Sequence, residues 1–226
     1  MMNIKKISRS TYRLTSLKLL GMRNGKFITI DGVEGAGKST QIDLICSYLH
    51  EKGIEVVRTR EPGGTPVGEK IRSVLLDVDN QEMHSDTELM LMFSSRNELI
   101  QNKIIPALNK GHWVVSDRFT DASFAYQGGG RMLDLNRISE LADWVLGDFK
   151  PDLTLLLDVS VEVGMQRIEA RSAKDRIELE ERAFFERVRS VFISRSETFP
   201  ERIKLIDATG SVDDIQSKIR ALIDSL

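Results

Sequence analysis

The sequence predicts an α/β fold in which a parallel β-sheet is covered by helices on both faces. Two observations carry this prediction: short apolar runs alternate with longer segments of helical periodicity from residue 26 onward, and a glycine-rich segment follows directly after the first apolar run. Strand–helix–strand repetition implies right-handed crossover connections and a doubly wound sheet. With 226 residues, 41% of them hydrophobic, the chain is long enough to bury the core of a single domain.

Five runs have the composition of strands that are buried on both faces. Each is short and rich in Ile, Val and Leu, as expected for a parallel sheet between two layers of helices. The runs are KFITID (26–31), IEVVRT (54–59), HWVVSD (112–117), LTLLLDV (153–159) and IKLIDA (203–208).

Helical patterns fill the intervals between these runs. Gly53 and Gly111 stand where helix C-caps are expected, and Pro151 interrupts the chain ahead of the fourth strand. The predicted helices span 38–52, 67–77, 86–109, 134–146, 161–172, 180–198 and 211–225.

The start of the chain differs in charge from the rest. The first 30 residues carry seven Lys or Arg side chains and no Asp or Glu, although the net charge of the whole chain is −2. A basic, hydroxyl-bearing segment is typical of an amphipathic transit peptide, and a start assigned upstream of a true initiator at Met22 explains it as simply. In either case we expect residues 1–24 to lie outside the fold and residues 25–226 to form one domain.

The overall composition argues against several classes of protein. A net charge of −2 lacks the basic balance of a nucleic-acid-binding protein. No apolar run approaches the length of about 18 residues that a membrane span requires. The chain has one cysteine, Cys46, which rules out an internal disulfide and suits a reducing compartment. We therefore expect a cytoplasmic protein without nucleic-acid or membrane partners.

The glycine-rich segment after the first predicted strand indicates phosphate binding. It matches the pattern G-x-x-x-x-G-K-[ST] between a strand and a helix, which is the context that gives this pattern its meaning. Glycines allow backbone N–H groups to turn toward a β-phosphate, and the start of the helix adds its dipole. The lysine reaches the β- and γ-phosphates, and the serine hydroxyl can ligate Mg²⁺. The sequence thus predicts a P-loop, with a nucleoside triphosphate bound by Gly32, Val33, Glu34, Gly35, Ala36, Gly37, Lys38, Ser39 and Thr40.

Arginines after the strands favour a phosphotransferase. A regulatory GTPase would carry a guanine-reading N-K-x-D segment after a strand, and the nearest approach, SAKD (172–175), follows a predicted helix instead. A phosphotransferase needs a second phosphate site, for which the forked guanidinium group is well suited. Arg60 and Arg118 each close a predicted strand at the carboxyl edge, where α/β proteins bind ligands.

Six segments make the sequence resemble the bacterial thymidylate kinases. In order from Lys26 to the C-terminus, they are DGVEGAGKST, TREPGGT, LMFSSR, DRFTDASFAYQGGGR, PDLTLLLDVSVEVGMQRI and DRIE. The resemblance implies a P-loop NTPase fold with a five-stranded parallel sheet and a short lid. It also implies transfer of the γ-phosphoryl group of ATP to dTMP with Mg²⁺, giving dTDP, and assembly as a homodimer.

The resemblance further implies which residues bind dTMP. Phe93 would stack on the thymine ring, and Arg96, three residues later on the same helix, would donate to thymine O4 and so reject cytosine. Without the resemblance, Phe93 is more often a core residue and Arg96 a solvated charge. The other implied residues are Arg72 and Arg118 at the phosphate, Ser123 and Gln127 at the base, Tyr126 beside the sugar 2′ carbon, and Glu34 at the 3′-hydroxyl.

The catalytic and metal residues follow in the same way. Lys38 and Arg118 would act on the phosphates, and Asp117 corresponds to an acid near Mg²⁺, although an ion pair with a neighbouring arginine explains it nearly as well. The segment EARSAKDRIE (169–178) offers Arg171 and Arg176, whereas the P-loop insert VEGA has no base. This is the pattern in which a lid over about 171–178 delivers an arginine to the transferred phosphoryl group. A charged helix–helix connection is the simpler alternative.

The sequence departs from the family pattern at two positions, and two other functions remain open. Phe119 replaces a frequent Tyr or His, and Ser123 replaces Thr or Asn. One alternative is another nucleotide or nucleoside kinase, against which LMFSSR and AYQGGGR argue. The other is a non-catalytic ATP-binding module, against which Lys38, Arg118 and the lid arginines argue.

Overall fold

The computed structural model describes residues 24–169 and 175–226. The strands are β1 (Phe27–Asp31), β2 (Val56–Arg60), β3 (Trp113–Asp117), β4 (Leu153–Asp158) and β5 (Ile203–Asp207). They form a five-stranded sheet in the order β2-β3-β1-β4-β5, in which every pair of neighbours is parallel. The predicted fold class is confirmed, and the largest error at a strand start is at β2, which begins two residues later than predicted.

Helices connect these strands and cover the sheet. The long helix predicted over 86–109 is observed as two α-helices joined by a π-helical segment at Ile100–Ile104. The helix predicted over 161–172 is described as far as Glu169. The α-helices are α1 (Lys38–Glu51), α2 (Pro66–Leu76), α3 (Ser85–Leu99), α4 (Ile105–Asn109), α5 (Thr120–Ser123), α6 (Leu135–Leu146), α7 (Val161–Glu169), α8 (Arg182–Thr198) and α9 (Val212–Asp224).

The sheet buries apolar side chains on both faces, because successive side chains of a strand point in opposite directions. On one face, Phe27 of β1 belongs to a buried cluster with Leu99 and Ile104, which lie in and after α3. On the other, Ile28 and Ile30 belong to a larger cluster that includes apolar side chains of α1 and α9. These two layers hold the strands rigidly and fix the positions of the loops at their ends.

The central strand β1 determines where the site forms. It is buried along its whole length, and its register pairs Ile30 with Asp117 of β3. Because the two strands are parallel neighbours, the glycine-rich loop after β1 and Arg118 after β3 leave the sheet side by side at its carboxyl edge.

Two glycines end helices as predicted. Gly53 follows the last turn of α1 with a φ of +73°, and Gly111 follows α4 with a φ of +83°. After α1, the N–H of Gly53 donates to His50 O at 2.9 Å and that of Ile54 donates to Leu49 O at 3.0 Å. This pair of bonds is the Schellman pattern, which favours glycine because its left-handed residue has no Cβ to strain.

The segment after β3 contains a helix that sequence prediction missed. Helix α5 continues into a π-helical segment at Phe124–Gly130, which ends in three glycines. In sequence, such a run indicates a loop. In the structure the glycines allow close packing instead, since a Cβ on Gly129 would lie 2.8 Å from the carbonyl O of Arg187 in α8. The approach of α8 therefore overrides the local preference.

The N-terminal prediction is not tested by the fold, because residues 1–23 lie outside the described residues. That residues 1–24 stand apart from a domain at 25–226 stays a prediction. Within residues 24–169 and 175–226, no helix is both long enough and apolar enough to cross a bilayer.

Candidate nucleotide-binding site

A cavity of about 910 Å³ opens at the carboxyl edge of the sheet. Its wall is formed by the P-loop from Glu34 to Thr40, by the ends of β2 and β3, and by side chains of α2, α3 and α9. Ligand clefts commonly enclose about 300–1,000 Å³. The cavity lies at the upper end of that range and joins the P-loop to the strand ends in one continuous space.

The P-loop has the backbone that its glycines predict. Gly32, Gly35 and Gly37 have φ values of +139°, +73° and +90°, a region that side-chain-bearing residues rarely occupy. A Cβ on Gly32 would also collide with the carbonyl O of Leu157, and one on Gly35 with that of Gly164. The loop is thus restricted to glycine at these positions by conformation and, at two of them, by space.

The start of helix α1 presents free donors to the cavity. Gly37 stands at the N-cap of α1, and in the described residues no side chain caps its first N–H groups. Uncapped N–H groups at a helix start form a ready anion site. Lys38 folds back over the loop, where its Nζ donates to Gly32 O at 3.1 Å and Val33 O at 2.9 Å. Burial and the nearby Arg118 charge lower the pKa of Lys38 to about 8.

Arg118 connects β3 to the P-loop. Its guanidinium donates to Gly32 O at 3.0 Å and to Glu34 Oε1 at 2.7 Å. Its backbone has a φ of +70°, which costs a non-glycine residue about 1–3 kcal/mol and is concentrated at functional sites. The surrounding sheet supports this conformation, since Arg118 N donates to Ile30 O at 2.9 Å and Ser116 Oγ donates to Arg118 O at 2.8 Å.

Glu34 and Tyr126 complete this cluster. The Tyr126 hydroxyl donates to Glu34 Oε2 at 2.6 Å, and the Arg118 guanidinium lies over the Tyr126 ring, 4.6 Å from its centroid. Burial raises the pKa of Tyr126 well above its ordinary value, so the hydroxyl stays protonated and remains a donor. The carboxylate of Glu34 is therefore held between an arginine and a phenol at the mouth of the P-loop.

Two aspartates at the ends of β1 and β3 carry oxygens that lack hydrogen-bond partners in the described chain. These are both carboxyl oxygens of Asp31 and Oδ1 of Asp117. Burial, followed by repulsion from Asp121, raises the pKa of Asp31 to about 7. Asp117 and the exposed Ser39 line the same cavity, and carboxyl and hydroxyl oxygens are ligands that hard cations such as Mg²⁺ accept, so these two residues fit such an ion. Within residues 24–169 and 175–226, no group of three or more His, Cys, Asp or Glu side chains could hold a metal ion. An ion held mainly by phosphates and water does not need such a group.

Arg72 of α2 reaches the cavity from the side opposite the P-loop. Its Nη1 donates to Pro62 O at 2.9 Å, and it lines the cavity together with Arg118. Burial, followed by repulsion from Arg60, lowers the pKa of Arg72. Arg60 also lines the cavity, and its Nη2 donates to Glu69 Oε2 at 3.0 Å. Arg72 and Arg118 thus line the same cavity, and their role as a second phosphate site stays a prediction.

Arg96 is fully buried, so it is not the solvated helix charge that its sequence position alone suggests. It donates to Glu61 Oε2 from Nε at 2.9 Å and from Nη2 at 2.7 Å, and to Ser123 Oγ from Nη2 at 3.0 Å. Its guanidinium lies between the rings of Phe93 and Phe119, with centroids at 4.5 and 5.5 Å. Nη1 is buried without a hydrogen-bond partner among the described residues.

Phe93 lies in the core rather than at the wall of the cavity. It is 1% exposed and packs with Leu89 of α3 and with Ile138 and Ala142 of α6. Within the described residues, α3 contributes Glu88 and Met92 to the cavity wall, and not Phe93. One residue along a helix rotates the side chain by about 100°, which is why Met92 and not its neighbour stands at the cavity wall. The base-stacking role of Phe93 stays a prediction.

Glu88 gathers three side chains from two other parts of the chain. Its Oε1 accepts from Gln127 Nε2 at 2.8 Å, and its Oε2 accepts from Arg131 Nε at 3.1 Å and from Arg176 Nη2 at 2.6 Å. Arg131 also forms an ion pair with Glu180. Burial alone would raise the pKa of Glu88, but Arg131, the Gln127 amide and Arg176 together hold it below the ordinary value.

Of the two predicted lid arginines, one falls within the described residues. Arg171 lies outside them. Arg176 is 1% exposed, lines the cavity and also donates from Nε to Leu75 O at 2.7 Å. Another arginine of the same region, Arg167 of α7, donates to Gly35 O of the P-loop at 2.9 Å and lines the cavity.

Sequence reasoning missed Asp31, Glu88, Met92 and Arg167. A helical signal pointed to two of them, since Glu88 and Met92 precede Arg96 by eight and four residues on one helix and so share its face. No comparable sequence signal points to Asp31 or Arg167, because their importance depends on which residues surround them after folding.

The sheet order and the glycine-rich loop before α1 define a P-loop NTPase fold. The sequence matches the family model for thymidylate kinase over residues 30–219. A thymidylate kinase from Vesicomyosocius okutanii is 64% identical over 205 residues, which cover 91% of this chain and 100% of that protein. One from Nitrosospira multiformis is 50% identical, with coverage of 89% and 98%. The crystal structure of thymidylate kinase from Ehrlichia chaffeensis matches with a TM-score of 0.72 and 32% identity, covering 88% of this chain and 98% of that one. The chain belongs to the thymidylate kinase family.

Proposed function

We propose that the protein transfers the γ-phosphoryl group of ATP to dTMP, releasing dTDP and ADP, as a step in dTTP synthesis. The observation that carries this proposal is that the P-loop and the Arg72–Arg118 pair line one continuous cavity. A site for a triphosphate thus faces a site for a second phosphate without a wall between them. Membership of the thymidylate kinase family supports the choice of acceptor.

The donor phosphates are held by the P-loop. The uncapped N–H groups of α1 bind phosphate oxygens, and Lys38 exchanges its hydrogen bonds to the Gly32 and Val33 carbonyls for the β- and γ-phosphates. Burial disfavours the charged form of the Lys38 amine and lowers its pKa. A bound phosphate has the opposite effect, because a nearby negative charge favours the charged amine.

The acceptor is held and aligned by arginines. Arg72 and Arg118 bind its phosphate, and a phosphate oxygen of dTMP attacks the γ-phosphorus as the bond to the ADP oxygen breaks. The attacking oxygen is already ionised, so the chain need not supply a general base. Arg118 also contacts the P-loop through Gly32 O. This contact supports a role for its guanidinium between donor and acceptor, where charge develops in phosphoryl transfer.

The sugar and the base meet the remaining acceptor residues. Glu34 accepts from the 3′-hydroxyl, and Tyr126, fixed by its bond to Glu34, crowds the 2′ carbon. Ser123, Gln127 and Arg96 read the base edge. The stacking surface is formed by the Phe93–Met92 pair, in which Met92 is the side chain at the wall of the cavity.

Mg²⁺ is the proposed cofactor, with Ser39 and Asp117 as its protein ligands and Asp31 as a further acid beside them. Once bound there with ATP, it would neutralise charge on the β- and γ-phosphates. Arg171 and Arg176 remain the proposed lid arginines.

An assay that couples ADP release to the acceptor tests the proposed reaction. We expect ATP to be consumed fastest with dTMP in a panel that also contains dUMP, dCMP, dGMP and the ribonucleotide TMP, and chelation of divalent cations to stop turnover. A preference for dCMP or dGMP would indicate a different nucleotide kinase. ADP release that does not depend on any acceptor would indicate an ATPase or a binding module.

The protein is also proposed to be a cytoplasmic homodimer. Two exposed apolar side chains, Met90 of α3 at 56% and Trp144 of α6 at 83%, are candidates for burial in the interface. Its single cysteine suits a reducing compartment. Light scattering should give the mass of a dimer, and Trp144→Glu should shift it toward that of the monomer, whereas a monomeric wild-type protein would contradict the assembly.

A further inference from the structure

Two of the proposed base-binding residues each have a buried polar atom that lacks a hydrogen-bond partner in the part of the chain that the structure describes. These atoms are Oε1 of Gln127 and Nη1 of Arg96; the residues are 2% and 0% exposed. An unpaired buried polar group costs about 1–3 kcal/mol, so such atoms are rarely left unsatisfied in a working site. One is an acceptor and the other a donor.

The two residues are neighbours through Ser123. Ser123 accepts from Arg96 Nη2 at 3.0 Å, and Gln127 follows four residues later in the same helical segment. Gln127 lines the cavity. Arg96 and Ser123 are fully buried and are not among the described lining residues, so the donor lies behind the cavity wall and adjoins the acceptor through Ser123.

Glu88 decides which atom of the Gln127 amide is left unpaired. An ionised carboxylate can only accept hydrogen bonds, so Gln127 must turn its NH₂ group to Glu88, as its 2.8 Å bond does. Arg131 and Arg176 keep Glu88 ionised by pairing with it at 3.1 and 2.6 Å. The amide oxygen is consequently the atom that remains for a ligand.

We propose that Glu88 is a positioning residue for base discrimination, holding Gln127 so that its Oε1 and Arg96 Nη1 form an acceptor–donor pair for N3–H and O4 of the pyrimidine. Cytosine presents the opposite pattern, an acceptor at N3 and a donor at the 4-amino group, and both positions would then be mismatched. This inference rests on the proposed phosphorylation of dTMP and adds a residue that determines its specificity. Glu61 acts in parallel, because it holds two nitrogens of Arg96 and leaves Nη1 free.

The test compares dUMP with dCMP, which both lack the 5-methyl group and differ only at the edge that the pair would read. In the Glu88→Gln variant, the new amide can accept or donate, so Gln127 is free to turn in either direction. We expect the dUMP:dCMP ratio of kcat/KM to fall by about tenfold or more, since sites built around specific hydrogen bonds discriminate by up to about 10⁴–10⁵-fold. A folded Glu88→Gln protein with an unchanged ratio would overturn the proposal.

Two control variants separate orientation from general loss of structure. Glu88→Asp retains an accepting carboxylate and should keep the ratio within a few-fold of wild type. Arg131→Gln removes one ion-pair partner of Glu88 but leaves the Glu88–Gln127 bond, and it should also keep the ratio. A fall in the ratio with Arg131→Gln as large as that with Glu88→Gln would show that the effect comes from loosening of the cluster, and would overturn the assignment to Glu88.

A variant at the amide itself keeps the proposal testable if Glu88→Gln does not fold. Gln127→Met has a similar volume and removes the acceptor without leaving a charge, so it should narrow the dUMP:dCMP ratio by about the same factor. An unchanged ratio there would equally overturn the proposal. Failure of the proposed function is distinguishable, since it would appear as a wild-type protein that does not phosphorylate dTMP at all.

Discussion

The two proposed halves of the cavity, one for the donor phosphates and one for the acceptor nucleotide, are built by different means. The donor half is made mainly of backbone: three glycines with positive φ, the uncapped start of α1 and one lysine. The acceptor half is made of side chains from α2, α3 and the segment after β3, and these side chains are held by buried carboxylates. Glu61 holds Arg96 and Glu88 holds Gln127.

This difference reflects what each half must recognise. Every triphosphate presents the same oxygens, so N–H groups and a flexible cation suffice for it. A particular base must be told from others by its edge, and this requires donors and acceptors whose orientation is fixed by other residues. Apart from its glycines, the donor half should therefore tolerate side-chain changes with little loss of stability, whereas changes in the acceptor half should affect stability and specificity together.

The largest expected effect is on catalysis, in the donor half. Lys38→Ala removes the cation that the P-loop aims at the β- and γ-phosphates, and we expect kcat to fall by about 10³-fold or more, the scale on which phosphoryl transfer depends on a positioned cation. The melting temperature should stay close to that of wild type, because the described hydrogen bonds of the Lys38 amine are two bonds to carbonyls of the P-loop. Retention of more than about a tenth of wild-type kcat, a loss below ~1.4 kcal/mol, would refute the role of Lys38.

The next largest effect is on stability, in the acceptor half. Arg96→Ala leaves the Glu61 carboxylate buried without its partner, and we expect the free energy of unfolding in urea to fall by about 4 kcal/mol. The double variant Arg96→Met/Glu61→Met should recover most of this loss, because it removes both charges. If Arg96→Ala alone were as stable as wild type, the acceptor half would not depend on buried ion pairs as described.

A third comparison separates two adjacent residues of α3. Phe93→Ala should destabilise the protein by about 3 kcal/mol, since Phe93 packs between α3 and α6. Met92→Ala should destabilise it less, because Met92 is only half-buried, and should instead raise KM for all pyrimidine nucleotides several-fold. Steady-state kinetics and urea unfolding on the two variants would check this. The reverse outcome, with normal stability but weak dTMP binding in Phe93→Ala, would restore Phe93 as the stacking residue.

The sequence predicts the backbone of the P-loop well and the surroundings of the proposed acceptor residues less well, for a physical reason. The P-loop is contiguous and its glycines are required by local backbone geometry, so the pattern alone locates Gly32–Ser39. Met92 was missed because a shift of one residue turns a helical side chain through about 100°. The importance of Glu88 was missed because it comes from burial and from partners that are far away in the sequence.

A smaller effect should appear in the pH dependence of stability. The pKa of Glu88 lies below its ordinary value of 4.5 when the protein is folded. Its stabilising contribution is therefore present above pH 4.5 and is lost as the pH falls through the lower, folded-state pKa. We expect the stability advantage of wild type over Glu88→Gln to shrink on acidification below pH 4.5, as measured by urea unfolding at a series of pH values. An advantage that grows in acid would contradict the ion pairs around Glu88.

The central claim is that the two halves of the cavity act together in one transfer reaction, and the fate of the γ-phosphate tests it most directly. ATP labelled at the γ-phosphate is mixed with the protein, Mg²⁺ and dTMP, and the products are separated. We expect the label to appear in dTDP, in an amount equal to that of the ADP formed. Label released as inorganic phosphate, or retained in ATP while dTMP is present, would contradict it.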